Sequence, residues 1–342
     1  FDGFRLKIGT EMLINEWRDQ GITTRETVLA LEAGKEYPVV LEYFANVHPV
    51  DISFGWREDR LLFDEAVEIA RKSDVAIVNI GFNESSERES NDRPFELPEY
   101  QDSLVQCITA ANPNTVVLLN AGGNVDMSKW IDKVPSLLHL WYAGQEGGTA
   151  VAEILFGKVN PSGKLPISFE KKWEDNPVHG SYYENLKAEI KRVDYSEGVF
   201  VGYRGYDRSG KEPFYPFGYG LSYTTFKLSN IVVSKPNADG TVEVTCRLAN
   251  TGKRDGAQVI QAYVGKAENS PVERPQKELR KFEKIFLKAG ESTTVKMTLP
   301  KESFMYFDVN RTQFVTDPGI YNIMLGFSSR DIKAQKNIQY TL

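Results

Sequence analysis

Little in this chain invites metal, redox or nucleic-acid chemistry. Its 342 residues include two cysteines, Cys107 and Cys246, too few for a disulfide framework and too far apart for a metal motif. Three histidines, His48, His139 and His179, show no His-x-x-x-His spacing. No apolar run approaches the roughly 18 residues of a membrane span. Cations are outnumbered, 41 Lys and Arg against 47 Asp and Glu, and the net charge of −6 argues against nucleic acid, which needs a cationic face. Gly-x-Gly-x-x-Gly and the P-loop pattern are both missing, so a nucleotide cofactor has no fingerprint here. The expectation is a protein with no membrane span, no nucleic-acid partner, no metal and no cofactor. A starting Met and a signal segment are also missing, since the chain opens Phe1-Asp2-Gly3-Phe4. This reads as a chain that begins partway through a larger module.

What is present suffices for more than one core: 41% hydrophobic residues over 342 positions excludes intrinsic disorder and predicts two to three domains. Residues 1–58 read as short strands at 4–8, 23–31, 37–44 and 51–56, with Glu32-Ala33-Gly34-Lys35 as a hairpin connection. So few residues of strand make a poor independent core, and this segment reads as the end of a larger β module. From about residue 62 the period changes. Asp64 is a candidate cap for a helix to about 73, with Ala66, Ile69 and Ala70 on one face. Residues 75–80 form a nearly continuous β-branched run, as expected for a strand buried on both faces. A helix from Pro98 to 111, a strand at 115–120, a helix at 125–132, a strand at 137–142 and a helix at 147–156 closed by Gly157 complete a βαβαβα order. That order predicts a parallel sheet with helices on its faces over 59–170. Residues 171–225 are rich in Pro, Gly and aromatics and read as a connecting region that completes this domain. Beyond 226 the spacing of strands at 228–234, 241–250, 258–264, 278–287, 292–299 and 321–327 predicts a β-sandwich over 226–342. The fold class is therefore multidomain α/β plus β.

In an open parallel sheet, ligands bind beyond the carboxyl ends of the strands. Three loops lie there: 81–97, 121–124 and 143–148. The first is the longest and carries Glu84, Glu87, Glu89, Asp92 and Glu96, with Arg88 and Arg93 among them. It reads equally as a solvated acidic loop or as an acid/base site in which crowded carboxylates keep one another protonated. The glycines at 122–123 and 144–148 fit tight strand-to-helix turns or a phosphate cradle, and the turn reading is the stronger. His139 sits in an apolar strand and reads as core. Ser162 and Ser196 have no partner arrangement that suggests a nucleophile. The aromatics at 200–206 and 214–223 could stack on a sugar face, but packing between two domains explains them better.

Three long motifs now carry a resemblance. The stretch from Trp141-Tyr142-Ala143-Gly144-Gln145-Glu146-Gly147-Gly148 to Gly163-Lys164-Leu165-Pro166 resembles the C-terminal domain of family 3 glycoside hydrolases. So do Tyr195-Ser196-Glu197-Gly198-Val199-Phe200-Val201-Gly202-Tyr203-Arg204 and Pro213-Phe214-Tyr215-Pro216-Phe217-Gly218-Tyr219-Gly220-Leu221-Ser222-Tyr223. The tail, with Leu279-Arg280-Lys281-Phe282 and Asp317-Pro318-Gly319-Ile320-Tyr321, is similar to the fibronectin type III-like domain of these enzymes. The opening, with Phe1-Asp2-Gly3-Phe4-Arg5, Trp17-Arg18-Asp19-Gln20-Gly21 and Leu41-Glu42-Tyr43-Phe44, is similar to the closing strands of a protective-antigen-type insert.

The resemblance implies a retaining exo-acting β-glucosidase that hydrolyses terminal non-reducing β-D-glucosyl residues without metal or cofactor. It implies a nucleophilic Asp on an N-terminal TIM barrel outside this chain, possessed by the same enzyme or a separate chain, and a general acid/base Glu here. The family pattern Glu-x-Glu-Gly-x-Asp-Arg aligns with Glu87-Arg88-Glu89-Ser90-Asn91-Asp92-Arg93, which gives Glu89 the acid/base position. Ser90 departs from the usual Gly. Glu87, Asp92 and Arg93 are candidate substrate contacts, with Glu87 and then Glu197 the fallback acids. The substrate partner implied is a β-glucoside or oligosaccharide, and the location implied is periplasmic or secreted. Alternatives are a β-xylosidase of the same family and a non-catalytic carbohydrate-binding relative, the latter disfavoured by the retained Glu89.

Overall fold

The computed structural model describes residues 2–18, 23–45, 52–56, 63–89, 92–98, 100–182, 194–266 and 270–341. Two compact units result, Phe1–Ser73 and Asp74–Leu342.

In the first unit β1 (Asp2–Ile8), β2 (Glu11–Glu16) and β3 (Val39–Ala45) form an antiparallel sheet in the order β2-β1-β3. Gly9, at φ 63°, turns β1 into β2. Trp17 meets Phe44 edge-on at 4.8 Å and lies under the Arg5 guanidinium at 4.1 Å. The strands expected at 4–8 and 37–44 are present, whereas β2 was not foreseen. Residues 23–31 are not a strand and 52–56 are not either; Asp51 is outside the described residues. A strand needs a ladder partner, and β3 pairs with β1 in place of 23–31. The Glu32–Lys35 turn exists, with Lys35 N–H on the Glu32 carbonyl at 3.2 Å, but it joins no hairpin. Helix α1 (Asp64–Lys72) places acids in its first turn and bases in its last, as the helix dipole favours. Asp64 lies inside that first turn, not at the cap, which is Phe63. Ala70 is buried while Ile69 is exposed, so the expected apolar face is narrower than its spacing suggests.

The second unit opens with β4 (Ala76–Gly81), α2 (Gln101–Ala111), β5 (Thr115–Asn120), β6 (Ser136–His139) and α3 (Gly147–Leu155). β4, β5 and β6 pair in parallel in that order, and α2 packs on β4 and β5. Val117 and Leu119 on β5 are fully buried, as is fitting for a central strand. β4 is covered on one face only, because Val75 and Ile77 are more than half exposed while Ala76, Val78 and Ile80 are buried. The helix expected at 125–132 is replaced by a turn and a 3₁₀ segment, Ile131–Lys133. Its groups bond elsewhere: Asp126 N–H donates to the Phe95 carbonyl at 2.9 Å, and the Trp130 indole N–H to Asp102 at 2.9 Å. β6 stops at His139, and Trp141 follows with a left-handed φ of 55°. Gly157, at φ 71°, ends α3 as expected.

Among its described residues the connecting region holds a 3₁₀ segment, Trp173–Asp175, and the short helices α4 (His179–Tyr182) and α5 (Tyr203–Ser209). Its aromatics pack on one another: Tyr203 stacks on Phe217 at 5.0 Å and Tyr215 lies 4.9 Å from Tyr219. Beyond it lie β7 (Phe226–Val233), β8 (Val242–Asn250), β9 (Gly256–Lys266), β10 (Glu278–Leu287) and β11 (Ser292–Leu299). β12 (Tyr306–Asp308), β13 (Gln313–Val315), β14 (Gly319–Gly326) and β15 (Ile332–Tyr340) complete the chain. Two antiparallel sheets, β10-β9-β14-β15 and β11-β8-β7, bury Val242, Val244, Cys246 and Leu248 against Ile260, Tyr321 and Ile323. This is the expected β-sandwich. The hairpin β12–β13 and the edge strand β15 were not foreseen. β15 turns only Ile338 and Tyr340 fully inward, and its lysines suit a strand with an open edge. Among the described residues no helix is long and apolar enough to cross a membrane.

Candidate active site

The carboxyl end of β4 is built around Gly81. Its φ is 138°, and a Cβ there would collide with the Asn120 carbonyl of β5. The Gln101 side chain holds this glycine at both ends, accepting from Gly81 N–H at 2.7 Å and donating to Gly81 C=O at 3.0 Å. This pair of hydrogen bonds fixes Gln101 at the first position of α2, which begins there and not at Pro98, after Tyr100 in a left-handed N-cap at φ 58°. Asn83 then folds the loop back, accepting from Ser85 N–H at 3.0 Å through its side chain and from Glu87 N–H at 2.8 Å through its carbonyl.

A cavity of about 700 Å³ lies over these strand ends, lined by Asn79, Gly81, Asn83, Glu87, Asn120 and Tyr142 among others. Glu84 and Arg88 also border it. Glu87 is the most engaged carboxylate of the loop. Its Oε2 accepts from the Tyr142 hydroxyl at 2.6 Å and from Gly122 N–H at 3.2 Å, and pairs with Arg93 Nε at 3.2 Å. Burial alone would raise its pKa, but the Tyr142, Gly122 and Arg93 donors outweigh it and hold the carboxyl below the usual range. Burial, and then the bond to Glu87, push the Tyr142 phenol up to about 12. Arg93 is engaged at all three nitrogens, since it also donates to the Asn124 carbonyl at 2.7 Å and the Pro94 carbonyl at 3.2 Å while its guanidinium covers the Phe82 ring at 4.6 Å.

Glu89 and Asp92 are exposed on the same loop. Ser90 and Asn91, the departure from the family pattern and its neighbour, lie outside the described residues. Of the expected substrate contacts, Glu87 and Arg93 are brought together, whereas Asp92 is not part of their pair. Glu197 is partly buried in the connecting region and does not line the cavity. His139 is half-buried and not fully in the core as expected, though its ring packs inward, meeting Trp141 edge-on at 4.4 Å and Phe169 at 5.2 Å. Gly122 serves a turn, with its amide already on Glu87, which fits the turn reading over a phosphate cradle. Among the described residues no three His, Cys, Asp or Glu side chains gather as metal ligands. Sequence reasoning assigned no role to Tyr142 or Gln101. The signal for each was its place at the end of an element, Tyr142 just past β6 and Gln101 at the start of α2.

Comparison with known proteins agrees with this architecture. Residues 10–223 match the glycosyl hydrolase family 3 C-terminal domain, and 258–329 match the fibronectin type III-like domain. Thermostable β-glucosidase B of Acetivibrio thermocellus is 43% identical over 284 residues, which is 82% of this chain and 37% of that protein. An exo-α-(1→6)-L-arabinopyranosidase of Bifidobacterium longum is 42% identical over 277 residues, covering 80% of this chain and 36% of that one. The crystal structure of a Bifidobacterium adolescentis family 3 β-glucosidase superposes with a TM-score of 0.78 at 39% identity, over 83% of this chain and 42% of its own. The chain thus spans well under half the length of these relatives.

Proposed function

The chain belongs to glycosyl hydrolase family 3, and on that premise we propose that it is the part of a retaining exo-β-glucosidase that carries the general acid/base, Glu89. One observation carries the reading: Glu89 stands exposed on the long loop beyond the carboxyl ends of the parallel strands, where open α/β sheets receive their ligands. In this mechanism a nucleophilic Asp, on a barrel outside these residues, attacks the anomeric carbon. Glu89 protonates the departing glycosidic oxygen, and a covalent glycosyl-enzyme remains. Glu89, now a carboxylate, takes a proton from water as the water displaces the Asp. The two carboxyl groups must stand about 5–5.5 Å apart, a span that an exposed loop suits. Asp92 is proposed as a substrate contact beside it, while Glu87 and Arg93, whose polar atoms already hold one another, have a different role, argued below.

The test uses the complete enzyme. Glu89→Ala should slow hydrolysis of a disaccharide or alkyl glucoside by about 10²–10⁴-fold, the usual scale of general acid/base catalysis, and slow glycosylation by a dinitrophenyl glucoside far less. Azide should restore part of the turnover by attacking the glycosyl-enzyme without a general base. An unchanged disaccharide rate would remove Glu89 from the mechanism. A second reading, an exo-arabinopyranosidase, is favoured by the 42% identity to the Bifidobacterium longum enzyme. A panel of aryl β-D-glucoside, β-D-xyloside and α-L-arabinopyranoside distinguishes the sugars, and no turnover of any would favour a non-catalytic relative.

A further inference from the structure

Glu87 sits two residues before Glu89, yet its carboxylate faces inward. Three donors from three separate places converge on Oε2: the Tyr142 hydroxyl from beyond β6, the Gly122 amide from the turn after β5, and Arg93 from the far side of the same loop. The loop is also held by Phe82 N–H on the Asn120 carbonyl at 2.9 Å, by Arg93 on the Asn124 carbonyl at 2.7 Å and by Asp126 N–H on the Phe95 carbonyl at 2.9 Å. Glu87, two residues from Glu89, thus ties the loop to the segments just beyond two strands. The position opposite is cut to fit, because a Cβ on Gly122 would collide with Glu87 Oε1. Among the described residues no hydrogen bond or ion pair holds the Glu89 carboxyl itself.

We propose that Glu87, gripped by Tyr142 and Gly122, is the positioning residue that sets where Glu89 stands over the strand ends. The inference rests on the reading of Glu89 as general acid/base. An acid that must reach one glycosidic oxygen loses effect when displaced by about 1 Å, and such misplacement can cost up to about 10²-fold. Tyr142 donates to an ionised partner in a charge-assisted bond, which makes this tether stronger than a neutral one. The tether places one carboxyl for both proton transfers, so its loss has a distinct signature in kcat/KM, which reports the glycosylation step and depends on whether the leaving group needs a proton.

The experiment compares Tyr142→Phe, Glu87→Gln and Gly122→Ala in the complete enzyme, each with a disaccharide and with a dinitrophenyl glucoside that needs no proton on its leaving group. Tyr142→Phe should lose about 10-fold in kcat/KM on the disaccharide, with KM little changed, while kcat/KM on the dinitrophenyl glucoside stays within about twofold. Gly122→Ala should show the same leaving-group dependence, because it displaces the same carboxylate. Glu87→Gln combined with Tyr142→Phe should cost less than the product of the two single losses, since both break one unit. Equal losses on both substrates, or none, would overturn the inference while Glu89→Ala keeps its own leaving-group dependence. If Glu89→Ala shows no such dependence, the acid/base reading falls and the tether loses its target. Tyr142→Phe removes one oxygen atom from a half-exposed side chain, so it keeps the test open if Gly122→Ala fails to fold.

Discussion

At the scale of single residues, His139 shows how burial governs charge. Its ring lies between Trp141 and Phe169, and neither nitrogen finds a hydrogen-bond partner among the described residues. Burial first, and the Arg93 cation second, pull its pKa from 6.5 to about 4, with Glu87 pulling weakly the other way. The folded state therefore holds a neutral imidazole where the unfolded chain takes up a proton. Stability from this group is intact above pH 6.5 and is lost as the pH falls toward about 4. Between pH 7 and pH 4.5 the loss should be about 2 kcal/mol. His139→Leu should remove that part of the acid sensitivity, and thermal melts at the two pH values would show a smaller difference than in the parent. An unchanged difference would mean the histidine is solvated. Its inward packing was readable from an apolar strand, but the lack of a hydrogen-bond partner among the described residues was not, because the rings around it come from residues 141 and 169.

At the scale of elements, the strand ends were legible and the side chains that lock them were not. β5 falls on the expected residues, and β4, β6 and α3 lie within a few residues of expectation, because period and β-branching report burial directly. The start of α2 and the helix expected at 125–132 failed for a common reason. Gln101 is held by Gly81, and Trp130 by Asp102, so long-range bonds overrode local propensity. Gly81→Ala tests how much the β4 exit depends on this arrangement. It would place a Cβ against the Asn120 carbonyl at a backbone angle that L side chains rarely adopt. A loss of about 2–4 kcal/mol is expected, read as a lower denaturant midpoint at unchanged slope. A shift within experimental error would mean the neighbouring strand yields freely.

At the scale of the second unit, one buried acid fastens the connecting region to the sandwich. Asp207 of α5 is paired with Lys277 at 2.5 Å and with Arg330 at 2.9 Å, and its side chain is only 2% exposed. Tyr203 reinforces the joint by accepting the Leu279 N–H at 2.8 Å. Removing one member of a buried ion pair leaves the others uncompensated and costs about 3–5 kcal/mol. Asp207→Ala should therefore weaken the joint more than either body. Calorimetry should show a single transition of this unit in the parent and two in the variant. One unsplit transition at the parent temperature would show that the aromatic packing alone couples them.

The sequence by itself determined the fold class, the six foreseen strands of the sandwich, the long acidic loop and the motif that singles out Glu89. The first three follow from local periodicity and turn residues, which the chain carries without reference to its partners, and the choice of Glu89 is what the resemblance to the family pattern implies. Tertiary structure decided which carboxylates face inward. Glu87 and Glu89 are two residues apart and chemically alike, yet one is gripped by Tyr142, 55 residues away in sequence, while the other stands in the open. No local pattern encodes that difference, because the donors that make it are brought to the loop only when β5 and β6 line up beside β4.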